Sequence, residues 1–237
     1  MKADLHLHTV LSPCGDLDMS PRNIIAKAKE KGLSVIVITD HNTTRQAPLI
    51  HEYGRQQGIT VLMGAELNTQ EEAHCLAFFP DVERLSEFQK YLDMYLPHIP
   101  NNVDKFGYQV QVDINDMIVY EEERLLISAI SQSIDALEKE VHRLNGIFIP
   151  AHINKSHSSI LSQLGFIPQG LNCDALEVSP HITPERFVKD NPYLAQYAIV
   201  QFSDAHYLED IGKAYTELNL SDTSFESVRY AIQQKLY

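Results

Sequence analysis

The run Val35-Ile36-Val37-Ile38 constrains this chain most. It is short, continuous, apolar and β-branched, the pattern of a strand covered on both faces in a parallel sheet. Its neighbours complete a βαβ unit. Upstream, Asp4-Leu5-His6-Leu7-His8-Thr9 alternates polar and apolar at the strand period of two, which puts Asp4, His6 and His8 on one face. Between the two runs, Ser20-Pro21 opens a helix, with serine as N-cap and proline at the first helical position. Ile24, Ile25 and Ala28 form its buried stripe, and Gly32 stops it. The second strand then ends in Thr39-Asp40-His41-Asn42.

The rhythm continues. A helix over Gln46–Gln57, closed by Gly58, precedes the strand Ile59–Met63, which ends in Gly64-Ala65-Glu66. A polar turn around Gln70–Glu72 leads to the strand His74–Phe79. That connection is too short for a crossover helix, so the two strands should pair antiparallel and set His74 near Glu66. Residues from about 81 to 124 break the pattern. A helix over Val82–Tyr95, Pro97, Pro100, a short strand Tyr108–Val112 and the acidic run Glu121-Glu122-Glu123 describe a peripheral excursion. A helix over Ser133–Leu144 and the strand Ile147–Ile149 then deliver Pro150-Ala151-His152. A helix near Ser158–Leu164 precedes the strand Ala175–Val178. A helix near Pro184–Val188 precedes the strand Ile199–Phe202, which ends in Ser203-Asp204-Ala205-His206. A strand Ala214–Leu218 and a helix Phe225–Lys235 finish the chain. At 237 residues and 44% apolar content, one domain over 1–237 accommodates all of it.

The formal net charge of −13 repels polyanions, so long nucleic acid and anionic membranes are not expected partners. Bound cations could still make a cleft attractive to a phosphate. Cys14, Cys75 and Cys173 are odd in number and show no CxxC spacing, which fits a reducing cytoplasm better than a disulfide framework. No stretch has the apolar core of a signal peptide or the length of a membrane span. The expectation is a soluble cytoplasmic protein.

The strands share an unusual ending. His6 and His8, His41, Glu66, His152, and Asp204 with His206 all fall at strand C-terminal ends, where β/α-barrel enzymes carry their chemistry. His6 and His8 are two apart on a strand, within reach of one ion, and Asp204 and His206 repeat that spacing. Mixed imidazole and carboxylate donors suit zinc, manganese or iron. Water on such ions would ionise near neutral pH and could attack phosphorus in line, which points to phosphate-ester hydrolysis. Lys155 is the leading candidate to grip the phosphate, with Arg22, Arg45 and Lys213 as others. Glu177 and His181 are candidate proton donors. Asp4 could orient an imidazole, and Asp40 either does so or caps the following helix. His51, His98 and His142 read as surface residues.

Taken in order, Asp4-Leu-His6-Leu-His8-Thr, Thr39-Asp40-His41-Asn42, Gly64-Ala-Glu66, His74, Pro150-Ala-His152 and Ser203-Asp204-Ala-His206 resemble the PHP (polymerase and histidinol phosphatase) superfamily. The resemblance implies an α/β fold, a distorted TIM-like (β/α)7 barrel with up to three metal ions at the strand ends. Carried over, His6, His8, Glu66 and Asp204 would hold one ion. Glu66 would bridge to a second with His74 and His152. His41 and His206 would hold the third, with a ligand from the loop after the first strand. Many relatives have Ser-Asp-Gly there, whereas this chain has Ser12-Pro13-Cys14-Gly15-Asp16. Asp16 is the expected ligand and Cys14 its competitor. The implied protein is a hydrolase with two to three divalent ions, acting on a small phosphorylated metabolite or nucleotide. Two alternatives stand beside it. One is an amidohydrolase-type barrel, which also opens with HxH but commonly bridges its ions with a carbamylated lysine. The other is a non-catalytic, metal-stabilised regulatory module.

Overall fold

In the computed structural model, which describes residues 1–234, the βαβ opening forms β1 (Lys2–Leu7), α1 (Pro21–Glu30) and β2 (Val35–Ile38). Ser20 takes the N-cap position of α1, although its hydroxyl makes no cap hydrogen bond, and Gly32 adopts φ +68° just beyond the helix. Next come α2 (Ala47–Gln57), β3 (Thr60–Asn68) and β4 (His74–Phe79). The excursion contains α3 (Val82–Tyr95), α4 (Val103–Phe106), β5 (Val110–Val112) and β6 (Ile118–Glu121). The remainder is α5 (Ile134–Arg143), β7 (Ile147–Pro150), α6 (Ile160–Leu164), β8 (Leu176–Glu177), α7 (Pro184–Asp190), β9 (Ile199–Val200), β10 (Thr216–Glu217) and α8 (Phe225–Ile232). Lys235, the expected end of the last helix, lies outside the described residues.

β1, β2 and β3 pair in parallel. β4 runs antiparallel to β3 in the expected hairpin, and β7 runs antiparallel to β4. β8 and β9 form a separate parallel pair. Backbone hydrogen bonds join these pieces. Ile153 N–H donates to the Glu177 carbonyl at 2.8 Å, linking β7 to β8. His8 N–H donates to the Ala205 carbonyl at 3.0 Å, and Ala205 N–H to that of His6 at 3.3 Å, linking the segment after β9 back to β1. The result is a distorted TIM-like barrel with one reversed strand. β10 adds antiparallel to β1.

Period-two burial divides the core. Leu5, Val35, Val37, Leu76, Phe78 and Ile149 pack inside, sealed by Val228 and Ile232 of α8. Ile36, Ile38, Val61, Met63, Ala77 and Phe148 face outward under Ile24, Ile50, Phe88 and Leu137 of the helices. β1 departs from this alternation: Leu5 packs inside and Leu7 outside, and its register against β2 shifts between Asp4 and Leu7. Such an irregularity re-aims side chains. Asp4 therefore does not share the His6 face. Its carboxylate instead accepts from Ser203 N–H and Gly212 N–H, both at 2.9 Å.

The excursion differs in detail from expectation. β5 begins two residues later than the expected strand and pairs antiparallel with β6, a strand not expected from the sequence. Gln46 fastens the hairpin, donating to the Val112 carbonyl and accepting from Val112 N–H. Val110 and Val112 pack on Val10, so the hairpin rests on the loop that follows β1. His51 and His142 are not free surface residues. His51 Nδ1 lies 2.6 Å from the Val61 carbonyl, and His142 bridges Glu138 and Asp174 at 2.6 and 3.1 Å. Among the described residues, no helix is long and apolar enough to cross a membrane.

Candidate metal centre

The strand ends converge as the spacing predicted. His6 lies in β1 and His8 just beyond it, His41 follows β2, Glu66 lies in β3 and His74 opens β4. His152 follows β7, and Asp204 and His206 follow β9. Six of the eight are buried, and Asp204 and His206 are partly so. His152 and Asp204 adopt φ +30° and +53°, a region that non-glycine residues enter at a cost repaid elsewhere.

Four of these residues form a cage. His6 Nε2 and His8 Nε2 are 3.2 Å apart. Asp204 Oδ1 lies 3.3 and 3.4 Å from them, Glu66 Oε1 lies 3.4 Å from His6, and Glu66 Oε2 lies 3.3 Å from His8. A tetrahedral ion with bonds of about 2.0–2.1 Å has ligand–ligand edges of about 3.3–3.4 Å. Hydrogen bonding behind the rings supports the same placement. His6 Nδ1 faces Glu177 Oε1 at 3.0 Å and donates to it. Ser12 Oγ donates to Asp40 at 2.7 Å and therefore accepts from His8 Nδ1 at 3.0 Å. Both rings then carry their proton on Nδ1, so the Nε2 lone pairs converge on one point. A cation there satisfies both.

Glu66 is the hub. Its Oε1 lies 2.9 Å from His74 Nδ1 and 3.0 Å from His152 Nε2, and its Oε2 lies 3.0 Å from His41 Nδ1. Two further groups have donor atoms within 4.8 Å of one another: His41, Glu66 and His74, and His8, His41 and His206. His41 Nδ1 and Asp204 Oδ1 are buried without a hydrogen-bond partner, as expected of atoms awaiting an ion. The cluster is therefore fit to hold divalent metal.

The electrostatics agree. Burial opposes charge on His6, yet Glu177, Asp204 and Glu66 push its pKa well above the usual range. Burial would raise Glu66, but the imidazoles of His74, His6 and His41 hold it well below the carboxylate range. Asp204 is likewise held low against burial, chiefly by His6. Burial pushes His206 down to about 4. These carboxylates demand cations, whether protons or metal.

Other expected roles change. The Asp16 carboxylate stands outside all three groups and instead accepts from Asp18 N–H at 2.9 Å, the short loop having turned it back on its own chain. Glu177 is buried behind His6 and also accepts from His152 N–H at 2.8 Å, so it orients ligands rather than donating to a leaving group. Asp40 orients His8 through Ser12 and also holds Thr9. Ser12 was missed, and only its place beside the histidine pair hinted at it. Lys155 Nζ donates to Asp204 Oδ2 at 2.6 Å. It lines a cleft of about 200 Å3 with His41, Glu66, His157, Asp204 and Cys14. His181 is not among the lining residues.

Fold and site together define a β/α barrel with a His/Glu/Asp centre at its strand ends. A family model, the PHP domain, matches residues 4–170, and a PHP-associated model matches 202–235; the chain belongs to the PHP domain family. An uncharacterised Methanocaldococcus jannaschii protein, MJ1587, is 42% identical over 79 residues, covering 30% of this chain and 46% of that one. The lesion-specific endonuclease PfuEndoQ of Pyrococcus furiosus superposes with a TM-score of 0.73 at 18% identity, over 98% of this chain and 55% of that one. A candidate metal-dependent phosphoesterase of Bifidobacterium adolescentis gives 0.62 at 22% identity, over 97% and 95%. The chain thus spans about half of MJ1587 and of the endonuclease. Endonuclease Q has also been seen with a 27-mer duplex carrying an abasic lesion at the active site. The expectation against long nucleic acid therefore loses its support. Net charge describes the whole surface, whereas binding follows the local field of the cleft.

Proposed function

We propose that this chain hydrolyses phosphate esters at two to three divalent ions held by His6, His8, His41, Glu66, His74, His152, Asp204 and His206. The observation that carries the reading is the four-residue cage, with its 3.2–3.4 Å edges and converging lone pairs. Bound ions would supply Lewis-acid charge and an ionised water. The chain's own residues supply the rest. Glu177 and the Ser12–Asp40 pair fix the tautomers of His6 and His8. Each Glu66 oxygen faces different imidazoles, so one carboxylate would bridge ions. Lys155 can turn from Asp204 to a phosphate oxygen. His157, exposed on the cleft wall, would serve as the proton donor to the leaving oxygen. Residues 1–237 act as one catalytic unit, with the 81–124 excursion over the loop after β1.

A cleft of about 200 Å3 suits a small phosphorylated metabolite, or the phosphate end of a nucleotide. A second reading, cleavage of a DNA phosphodiester, is favoured by the match of 98% of this chain to endonuclease Q. On that reading a nucleotide would leave the helical stack to enter the cleft. The test is turnover of a panel by the metal-loaded chain: an aryl phosphate, a bis-aryl phosphodiester, sugar phosphates, mononucleotides, an abasic duplex and amides. Phosphate-ester cleavage abolished by chelator and by Glu66→Gln is expected. Amide cleavage alone would favour the amidohydrolase reading. No turnover, with Glu66→Ala only lowering the melting temperature, would leave a metal-stabilised module.

A further inference from the structure

Among the described residues that line the cleft, Ile127 carries the one aliphatic hydrocarbon side chain. The walls are otherwise histidines, Lys155, Ser158, Cys14 and the carboxylates of Glu66 and Asp204. Ile127 sits in a tight turn, closed by Ser128 N–H donating to the Leu125 carbonyl at 3.2 Å. Its neighbours Leu126 and Ile130 are buried in the core, whereas Ile127 is only partly covered. A hydrocarbon surface left open in a polar cleft is wet, and an apolar group laid on it would release that water.

Side-chain amides fix this turn to the metal centre. Asn42, which directly follows His41, donates through Nδ2 to the Leu126 carbonyl at 2.7 Å and to the Ser128 carbonyl at 2.8 Å. Asn68 Nδ2 donates to the Ile127 carbonyl at 2.9 Å. Three successive carbonyls are held in this way. The two asparagines are themselves joined, Asn68 N–H donating to Asn42 Oδ1 at 3.0 Å. Asn42 N–H donates to the Glu66 carbonyl at 2.8 Å, and the buried Gln109 accepts from Leu126 N–H at 2.8 Å. Ile127 therefore stands at a set place relative to His41 and Glu66 before any substrate arrives. A contact made there costs no ordering of the loop.

We propose that Ile127 is a specificity-determining residue: it favours phosphate esters whose phosphate adjoins an aromatic or aliphatic group over esters of sugars and other polyols. The inference rests on the phosphate-ester reading above and deepens it by naming the substrate class. A polyol pressed on Ile127 would leave hydroxyls without hydrogen-bond partners, whereas the face of a ring covers the side chain at no such cost. The polar walls hold the phosphate, and Ile127 sorts what is attached to it.

The test is calorimetric binding of two phosphonates to the zinc-loaded full chain. Phenylphosphonate and methylphosphonate share a head group and are not hydrolysed, so affinity is read without turnover. Wild type should prefer the phenyl compound. Ile127→Ala should lower that preference roughly tenfold, the worth of a hydrocarbon contact in a pocket, with methylphosphonate binding unchanged. Ile127→Leu should keep most of the preference. No preference in wild type, a preference that survives Ile127→Ala, or an equal loss for both phosphonates overturns the assignment and leaves the phosphate-ester reading standing. If neither phosphonate binds the zinc-loaded wild type, that reading and the assignment fall together.

Discussion

Glu177→Gln tests the tautomer argument with almost no change of shape. Glu177 is 1% exposed; one of its oxygens faces His6 Nδ1 at 3.0 Å and the other accepts His152 N–H at 2.8 Å. Glutamine has one carbonyl oxygen for these two donors. If that oxygen keeps the His152 amide, the side-chain NH2 meets the His6 Nδ1 proton, donor against donor. His6 then moves its proton to Nε2 and loses the lone pair aimed into the cage. If the oxygen turns to His6 instead, the buried His152 N–H is orphaned and the bond to His6 loses its charge assistance. Either route costs about 1.5–3 kcal/mol. That is roughly 10–100-fold in affinity, the usual penalty for removing a carboxylate behind a metal-bound histidine. A zinc titration against a chromophoric chelator, with circular dichroism confirming the fold, reads the change. An affinity within about twofold of wild type would refute the argument, because both tautomers would then serve equally.

Two further outcomes depend on features away from the cage. Gly64→Ala puts a Cβ 2.3 Å from the Ala77 carbonyl oxygen, across a hairpin whose backbone cannot yield. Chemical denaturation should show a loss at or above the upper end of the overpacking range, about 1–3 kcal/mol; an unchanged midpoint would mean that β3 and β4 do not approach as described. His142 should make stability depend on pH. Its hydrogen bond to Asp174, aided by Glu138, raises its pKa above the usual 6.5. Its contribution is thus fully present below about pH 6.5 and is lost as pH rises through the raised value. His142→Ala should destabilise more at about pH 5.5 than at about pH 9, and equal losses at both would argue against a charged His142.

What the sequence makes legible is what periodicity and connection length encode. The β-branched Val35–Ile38 run became a buried parallel strand, and the short link from Glu66 to His74 forced the hairpin that sets their side chains 2.9 Å apart. Strand ends are legible because they lie where an apolar run stops. Features that depend on one or two irregular backbone angles are not. The register shift in β1 separates Asp4 from His6, yet the DLHLHT string alternates perfectly. β6 carries the strand-prone run Ile118-Val119-Tyr120, but it lies wholly on the surface, so it lacks the polar–apolar alternation of a half-buried strand. Glu177 shows the deeper limit. A carboxylate in a buried strand signals a partner, but its partner His6 lies 171 residues away. Only barrel closure decides whether it meets a substrate or a ligand's outer nitrogen. The loop after β1 obeys the same logic. Its composition offers Asp16 and Cys14 alike, and the Asp16 carboxylate is held aside by a bond from Asp18 N–H that no spacing rule contains. A chain can therefore announce a candidate metal centre through its strand ends, while the fate of a loop carboxylate is decided by three-dimensional hydrogen bonding.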